Sequence, residues 1–232
     1  MLPSSRRRAA LTLLLLVPIL LWDVSGGDLP LARLFGTAQG FAWRHDPTFG
    51  FLLHAVPRAL STACVLALVW GVWRPWGPLR TLPAADRGQL VLSIVLAMLA
   101  VQALKWLAAT SCPWALAEFG GVAVYVSHWD WGVWDQGPGH CFPAGHASAA
   151  FGFVAGWWVL RRKLPRLALP WLCAALVGGA LLGGAQQVRG AHYLSHTLWT
   201  GWICWSVGLL VEEAVQARRR LRAAGVTNLN GT

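Results

Sequence analysis

Six apolar runs, each long enough to cross about 30 Å of hydrocarbon at roughly 20 residues apiece, constrain this chain more than any single motif. They fall at about 9–25, 49–73, 89–109, 144–160, 167–187 and 192–213. With 56% hydrophobic and only 12% charged residues, the chain is too apolar for an ordinary soluble domain and fits one integral membrane domain over 1–222 with a polar tail at 223–232. The predicted fold is all-α, a six-helix transmembrane bundle with a large outward loop between helices 3 and 4. The first run follows Arg6, Arg7 and Arg8 as a signal peptide would, but it lacks a small-residue cleavage site and is read as a retained helix.

Charge sets the orientation. The net charge of +10 comes from arginines that bracket the apolar runs, so positive-inside topology accounts for it without a nucleic-acid partner. Arg6 to Arg8, then Arg74, Arg80 and Arg87, then Arg161 to Lys163 with Arg166, and finally Arg218 to Arg222 fall on one side of six alternating helices. That side is expected to be the cytoplasm, with both termini. The other side receives Asp28, Asp46, Glu118, Asp130, Asp135 and two histidines at the ends of apolar runs, His146 and His192. The 16 tryptophans suit the two membrane interfaces.

Of the five cysteines, Cys64, Cys173 and Cys204 fall inside helices and read as small buried hydrophobes. Cys112 and Cys141 share the outward loop, where a disulfide is expected if their Cα atoms come close enough. That loop, about 110–143, mixes Trp114, Trp129, Trp131 and Trp134 with turn-forming glycines. Its length points to a working role, with an inert interfacial cap as the alternative.

Lys105 ends the third run, His146 opens the fourth, and Arg189, His192 and His196 lead into the sixth. Cations and imidazoles at one depth suit an anion, and phosphate is the common anion of a membrane surface. Each residue also has a plainer reading. Lys105 could snorkel from a helix end, Arg189 could anchor a headgroup, and His192 with His196 could hold a metal. Histidines on several helices could also ligate haem. His54 reads as a hydrogen-bonded core histidine, while Arg58, one turn on, is a secondary candidate for a lipid phosphate.

The motif order resembles the type-2 phosphatidic acid phosphatase family, whose signature is Lys-x6-Arg-Pro, Pro-Ser-Gly-His and Ser-Arg-x5-His-x3-Asp. Here the parts are Lys105-x6-Cys112-Pro113, Pro143-Ala144-Gly145-His146 and Ala185-Gln186-x5-His192-x3-His196. The resemblance implies a lipid phosphatase, similar to lipid A 1-phosphatases and undecaprenyl pyrophosphate phosphatases, that needs no metal or other cofactor. His192 would be the nucleophile that forms a phosphohistidine and His146 the general acid. Lys105, with Ala144 and Gly145 through their backbone N–H groups, would bind the phosphate.

Cys112, Ala144, Gln186 and His196 depart from the pattern. Arg189 could reach the vacated phosphate position, and His196 or Glu118 could replace the motif aspartate that orients the nucleophile. The expected partners are the bilayer and a lipid phosphate at the periplasmic face of a bacterial inner membrane; the oligomeric state is left open. A phosphotransferase on the same site and a catalytically silent lipid-binding relative are the alternatives.

Overall fold

The computed structural model describes residues 5–229 and is mostly helical; the only sheet among them is a short antiparallel hairpin, β1 (Gly36–Thr37) with β2 (Gly40–Phe41). The helices in order are α1 (Ser5–Ser25), α2 (Asp28–Arg33), α3 (Pro47–Gly50), α4 (Val56–Trp73), α5 (Ala84–Leu107), α6 (Ser148–Phe151), α7 (Trp157–Lys163), α8 (Pro165–Val188) and α9 (Leu194–Leu229). A π turn, Phe51–Ala55, joins α3 to α4 without a break. Four stretches are long and apolar enough to cross a membrane: Ser5–Ser25, Pro47–Thr81, Ala84–Leu107 and Pro165–Val188. The tail expected from residue 223 is helical through Leu229, and 230–232 lie outside the described residues.

The apolar run at 144–160 is not one α-helix. It folds as α6, a 3-10 stretch at Gly152–Gly156 and α7. Two causes are visible. Gly152 and Gly156 weaken the α-helical preference, and the Phe153 carbonyl accepts the Trp171 indole N–H at 2.7 Å, an outside donor competing with the helical ladder. The same glycines draw this rod against α5, since a Cβ at Gly156 would lie 2.8 Å from Leu90 and one at Gly152 2.6 Å from Met98. Close approach through small residues is a common way for membrane helices to pack.

α5 is the central post. Its buried Leu90, Ile94, Ala97 and Val101 recur at helical spacing and face the 3-10 stretch and α9. Outward positions carry exposed apolar side chains such as Leu14, Leu66, Leu99 and Leu181, the reverse of a soluble surface. Cys204 is buried, but Cys64 and Cys173 face outward, so two of the three helical cysteines are not core residues as expected.

One end of the bundle is stitched by charge. Asp86, at the start of α5, meets Arg162 at 3.0 Å, Lys163 at 3.2 Å and Arg219 at 2.7 Å. Arg8 pairs with Glu213, and Trp202 and Trp205 donate to Thr12, so α1 is built into the bundle against α9. The other end carries a cap in which Ala32, Phe41, Leu116, Phe119, Ala123 and Tyr193 form a small core. Within the cap, Asp135 accepts from the Ser111 N–H and hydroxyl and from the Gly137 N–H, which orders a loop that has little regular structure.

Candidate active site

Three connections converge beneath that cap. α5 delivers Lys105 in its last turn. The turn ahead of α6 delivers Gly145 and His146, and a Cβ added at Gly145 would lie 3.3 Å from Lys105 Nζ, so glycine lets the lysine lie against the backbone. The N–H groups of Gly145 and His146 make no backbone hydrogen bond among the described residues and remain available to an anion. α8 ends in a turn at Gly190, whose φ of +77° and closeness to the Phe41 ring exclude a side chain. The N–H groups of Ala191 and His192 then donate to the Gln186 carbonyl at 2.8 and 3.4 Å, which turns the His192 ring inward.

His192 and His146, 46 residues apart in sequence, meet with Nε2 of the first 3.3 Å from Nδ1 of the second. His192 is 1% exposed. Burial holds both imidazoles below the usual histidine range; for His192 the rings of His146 and His196 add to this, and for His146 the neighbours His54, Lys105, Arg189 and Arg58 do so. Two neutral imidazoles in contact, with Lys105 and unpaired N–H groups beside them, form an arrangement that can hold an anion against a ring nitrogen.

Cys112 and Cys141 form a disulfide, as expected for the outward loop. The position where the family carries the first-motif arginine thus serves as half of a cross-link. Sγ of Cys141 lies 3.6 Å from Nδ1 of His192, the nitrogen that the motif aspartate would engage. Cys112, Cys141 and His192 bring three possible metal-ligand atoms within 4.8 Å of one another, but sulfurs joined to each other are not thiolate ligands.

Several expectations need correction. His196 does not accept from His192; its Nδ1 faces the Cys141 carbonyl at 3.1 Å, although the two rings lie only 5.8 Å apart between centroids. Glu118 is no substitute for the aspartate, since Arg33 holds its carboxylate at 2.5 Å on the surface and keeps it below the usual carboxylate range. The N–H of Ala144 is spent on the His196 carbonyl and cannot bind phosphate. Arg189 is at the site but tethered, donating from Nε and Nη2 to the Arg44 carbonyl at 3.2 and 3.1 Å and lying over Trp114. The direct nitrogen contact between His146 and His192 leaves no space for a haem between them.

His54 is the residue that sequence reading misplaced. Its ring lies 4.5 Å from that of His146, inside the site and not in a structural core. It sits on the π turn ahead of α4, a distortion often found at functional sites. The spacing of His54 and Arg58 is its only trace in the sequence. The loop tryptophans Trp129 and Trp131, with Leu104, Leu107, Phe142 and Trp202, line a half-open apolar cavity of about 330 Å³.

Residues 87–220 match the PAP2 superfamily. No curated protein and no solved structure matches the chain. The match begins at Arg87 on α5, ends at Arg220 on α9, and takes in all three motifs with the two facing histidines. Since it spans more than half of the sequence, the chain belongs to the PAP2 superfamily, as its resemblance to the type-2 phosphatidic acid phosphatases implies.

Proposed function

We propose that this protein is an integral membrane phosphatase that hydrolyses a lipid phosphate or pyrophosphate at the periplasmic face of a bacterial inner membrane through a phosphohistidine on His192. Members of the superfamily are phosphatases, and the apolar helices fit a membrane protein. The observation that carries the finer reading is the 3.3 Å contact between His192 Nε2 and His146 Nδ1. An unprotonated Nε2 of His192 attacks phosphorus and breaks the bond to the leaving oxygen, and His146, neutral at rest, relays to that oxygen a proton brought in by the phosphate monoanion. Water then attacks the phosphohistidine, gives its proton to His146 and releases phosphate. Lys105 and the free N–H groups of Gly145 and His146 offset the charge on the equatorial oxygens, so the mechanism calls for no metal.

In this reading the chain crosses six times, with 148–163 and 194–213 added to the four apolar stretches, so that the cap and the site lie at the periplasmic surface and the Asp86 cluster in the cytoplasm. Phosphate release from purified protein in detergent, with EDTA present and a panel of lipid phosphates as substrates, tests the reading. Wild type should release phosphate, His192→Ala none, and His146→Ala about 10²–10⁴-fold less than wild type. No release by wild type from any lipid, or full activity in His192→Ala, would overturn it.

A further inference from the structure

Sγ of Cys112, Sγ of Cys141 and Nδ1 of His192 all lie within 4.8 Å of one another, and the Cys141 sulfur is 3.6 Å from the ring nitrogen. A tetrahedral zinc, with bonds of about 2.3 Å to sulfur and about 2.0 Å to nitrogen, holds those two atoms about 3.5 Å apart. That edge of a metal site is already in place. The disulfide keeps the other edge shut, and its cleavage leaves two thiols free to part to the roughly 3.8 Å of two sulfurs on one zinc. Backbone hydrogen bonds keep the three residues near one another without the bridge. The Cys141 N–H donates to the Thr110 carbonyl at 3.0 Å and the Trp114 N–H to the Gly190 carbonyl at 2.9 Å, while Asp135 accepts the Ser111 N–H beside Cys112. An arginine at 112, as in the family signature, would offer no such ligand.

We infer that the reduced protein holds a thiophilic divalent cation such as Zn²⁺ on Cys112 Sγ, Cys141 Sγ and His192 Nδ1, and that this metal silences His192. The silencing rests on the phosphatase reading above; the metal site does not. Two thiolates and an imidazole select zinc over Mg²⁺ and Ca²⁺, which prefer oxygen ligands. The thiolates also cancel the charge of the ion, so Lys105, close enough for its charge to act on His192, does not repel the filled site. The outer partner is present too. A ligating histidine donates its other ring N–H to an acceptor, and Nδ1 of His146 stands 3.3 Å from Nε2 of His192. Cys141 and His192 are buried, but Cys112 is half-buried and gives a reductant, and then the ion, a way in.

A dithiol reductant supplies the two electrons. Its thiolate attacks Sγ of Cys112, the S–S bond breaks, and Cys141 leaves as a thiolate that takes up a proton. The second thiol of the reductant then displaces Cys112, and the reductant ends as a disulfide. Zn²⁺ replaces the protons of both cysteine thiols, releasing them to water, and takes the lone pair of His192 Nδ1. The proton that Nδ1 carried moves to Nε2, where it occupies the lone pair that would attack phosphorus. A disulfide oxidant such as oxidised glutathione reverses the exchange, expels the metal and bares Nε2 again. The cross-link therefore keeps the ring out of reach of metal as well as tethering the loop.

The test uses full-length protein in detergent with exposed Cys64 and Cys173 replaced by alanine, one sample oxidised and one reduced with dithiothreitol, both desalted without oxygen and titrated with Zn²⁺ or Co²⁺. The reduced sample should hold one Zn²⁺ per chain, and its Co²⁺ form should show the visible bands of a tetrahedral ion with a thiolate charge-transfer band. The oxidised sample should bind neither ion. His192→Ala should weaken zinc binding by the reduced protein about tenfold or more, which capture by loose thiols alone would not show. In phosphate release, an equivalent of Zn²⁺ should lower the activity of the reduced protein about tenfold or more below its metal-free level and leave the oxidised protein unchanged, with EDTA reversing the loss. Zinc held alike by both samples, none held by the reduced one, or unaltered affinity in His192→Ala would overturn the site. Zinc bound without loss of phosphate release would overturn the silencing. An oxidised protein that releases phosphate from no lipid would overturn the phosphatase reading, and the zinc titration would still decide the metal site.

Discussion

Nitrogen atoms 3.3 Å apart on His146 and His192 share one proton, and its position decides what the pair can do. In the proposed mechanism attack by His192 requires a bare Nε2, which assigns the proton of the contact to Nδ1 of His146 and leaves His192 with its own on Nδ1, against the Cys141 sulfur. A phosphoryl group cannot fit between atoms at that distance, so substrate must replace this hydrogen bond and part the rings. Burial keeps both histidines below their usual range, and a histidine with a lowered pKa stays neutral as pH falls through about 6.5. The proposed nucleophile is therefore retained in mild acid, while a phosphate substrate gains a proton near pH 6. A kcat/KM at about pH 5.5 that equals or exceeds the value at about pH 7.5 is the expected profile for phosphate release. A loss centred near pH 6.5 would show that His192 titrates as a free imidazole and is not the buried nucleophile.

At the scale of elements, the site depends on two loops held by one cross-link. The Cys112–Cys141 disulfide closes a segment of 29 residues, worth roughly 3–4 kcal/mol in the chain-entropy picture. It fixes both the sulfur beside His192 and the Cys141 carbonyl that His196 faces. Asp28 of α2 adds a second restraint by accepting the Ser195 N–H at 3.0 Å and the Ser195 hydroxyl. A carboxylate at that position caps the first turn of α9 and complements its dipole. Cys112→Ser separates the two roles of the disulfide, since it removes the tether but leaves the Cys141 sulfur in place. We expect a fall in melting temperature, with kcat reduced about tenfold by a loss of ring alignment worth about 1.4 kcal/mol. Unchanged kcat and melting temperature in Cys112→Ser would show that the backbone bonds of the loop alone position His192.

For the molecule as a whole, hydropathy in the sequence located the long helices, and motif spacing located Lys105, His146 and His192, because both are periodic or local signals. What the sequence did not disclose depends on contacts between distant segments. The Trp171 indole on the Phe153 carbonyl breaks the run at 144–160, Arg33 takes Glu118, and the Arg44 carbonyl tethers Arg189. His54 was hidden for the same reason, as nothing local says which ring it will face. Sidedness is the remaining whole-molecule question. Exposed Trp70, Trp73 and Trp76 lie toward the end rich in arginine, and exposed Trp43, Trp106, Trp131 and Trp134 lie toward the cap, as two interfacial belts require. Arg8, Arg162, Lys163 and Arg219 gather at the end opposite the site, the distribution that the positive-inside rule expects of the proposed outward site. Single cysteines at exposed Asp130 and Arg80 test this, read against a background in which Cys64 and Cys173 are replaced by alanine. A membrane-impermeant maleimide added to intact cells should label Asp130→Cys and leave Arg80→Cys unlabelled until the cells are opened. The reverse pattern would turn the histidine pair toward the cytoplasm, and labelling of both in intact cells would mean that these two ends do not lie on opposite sides of the membrane.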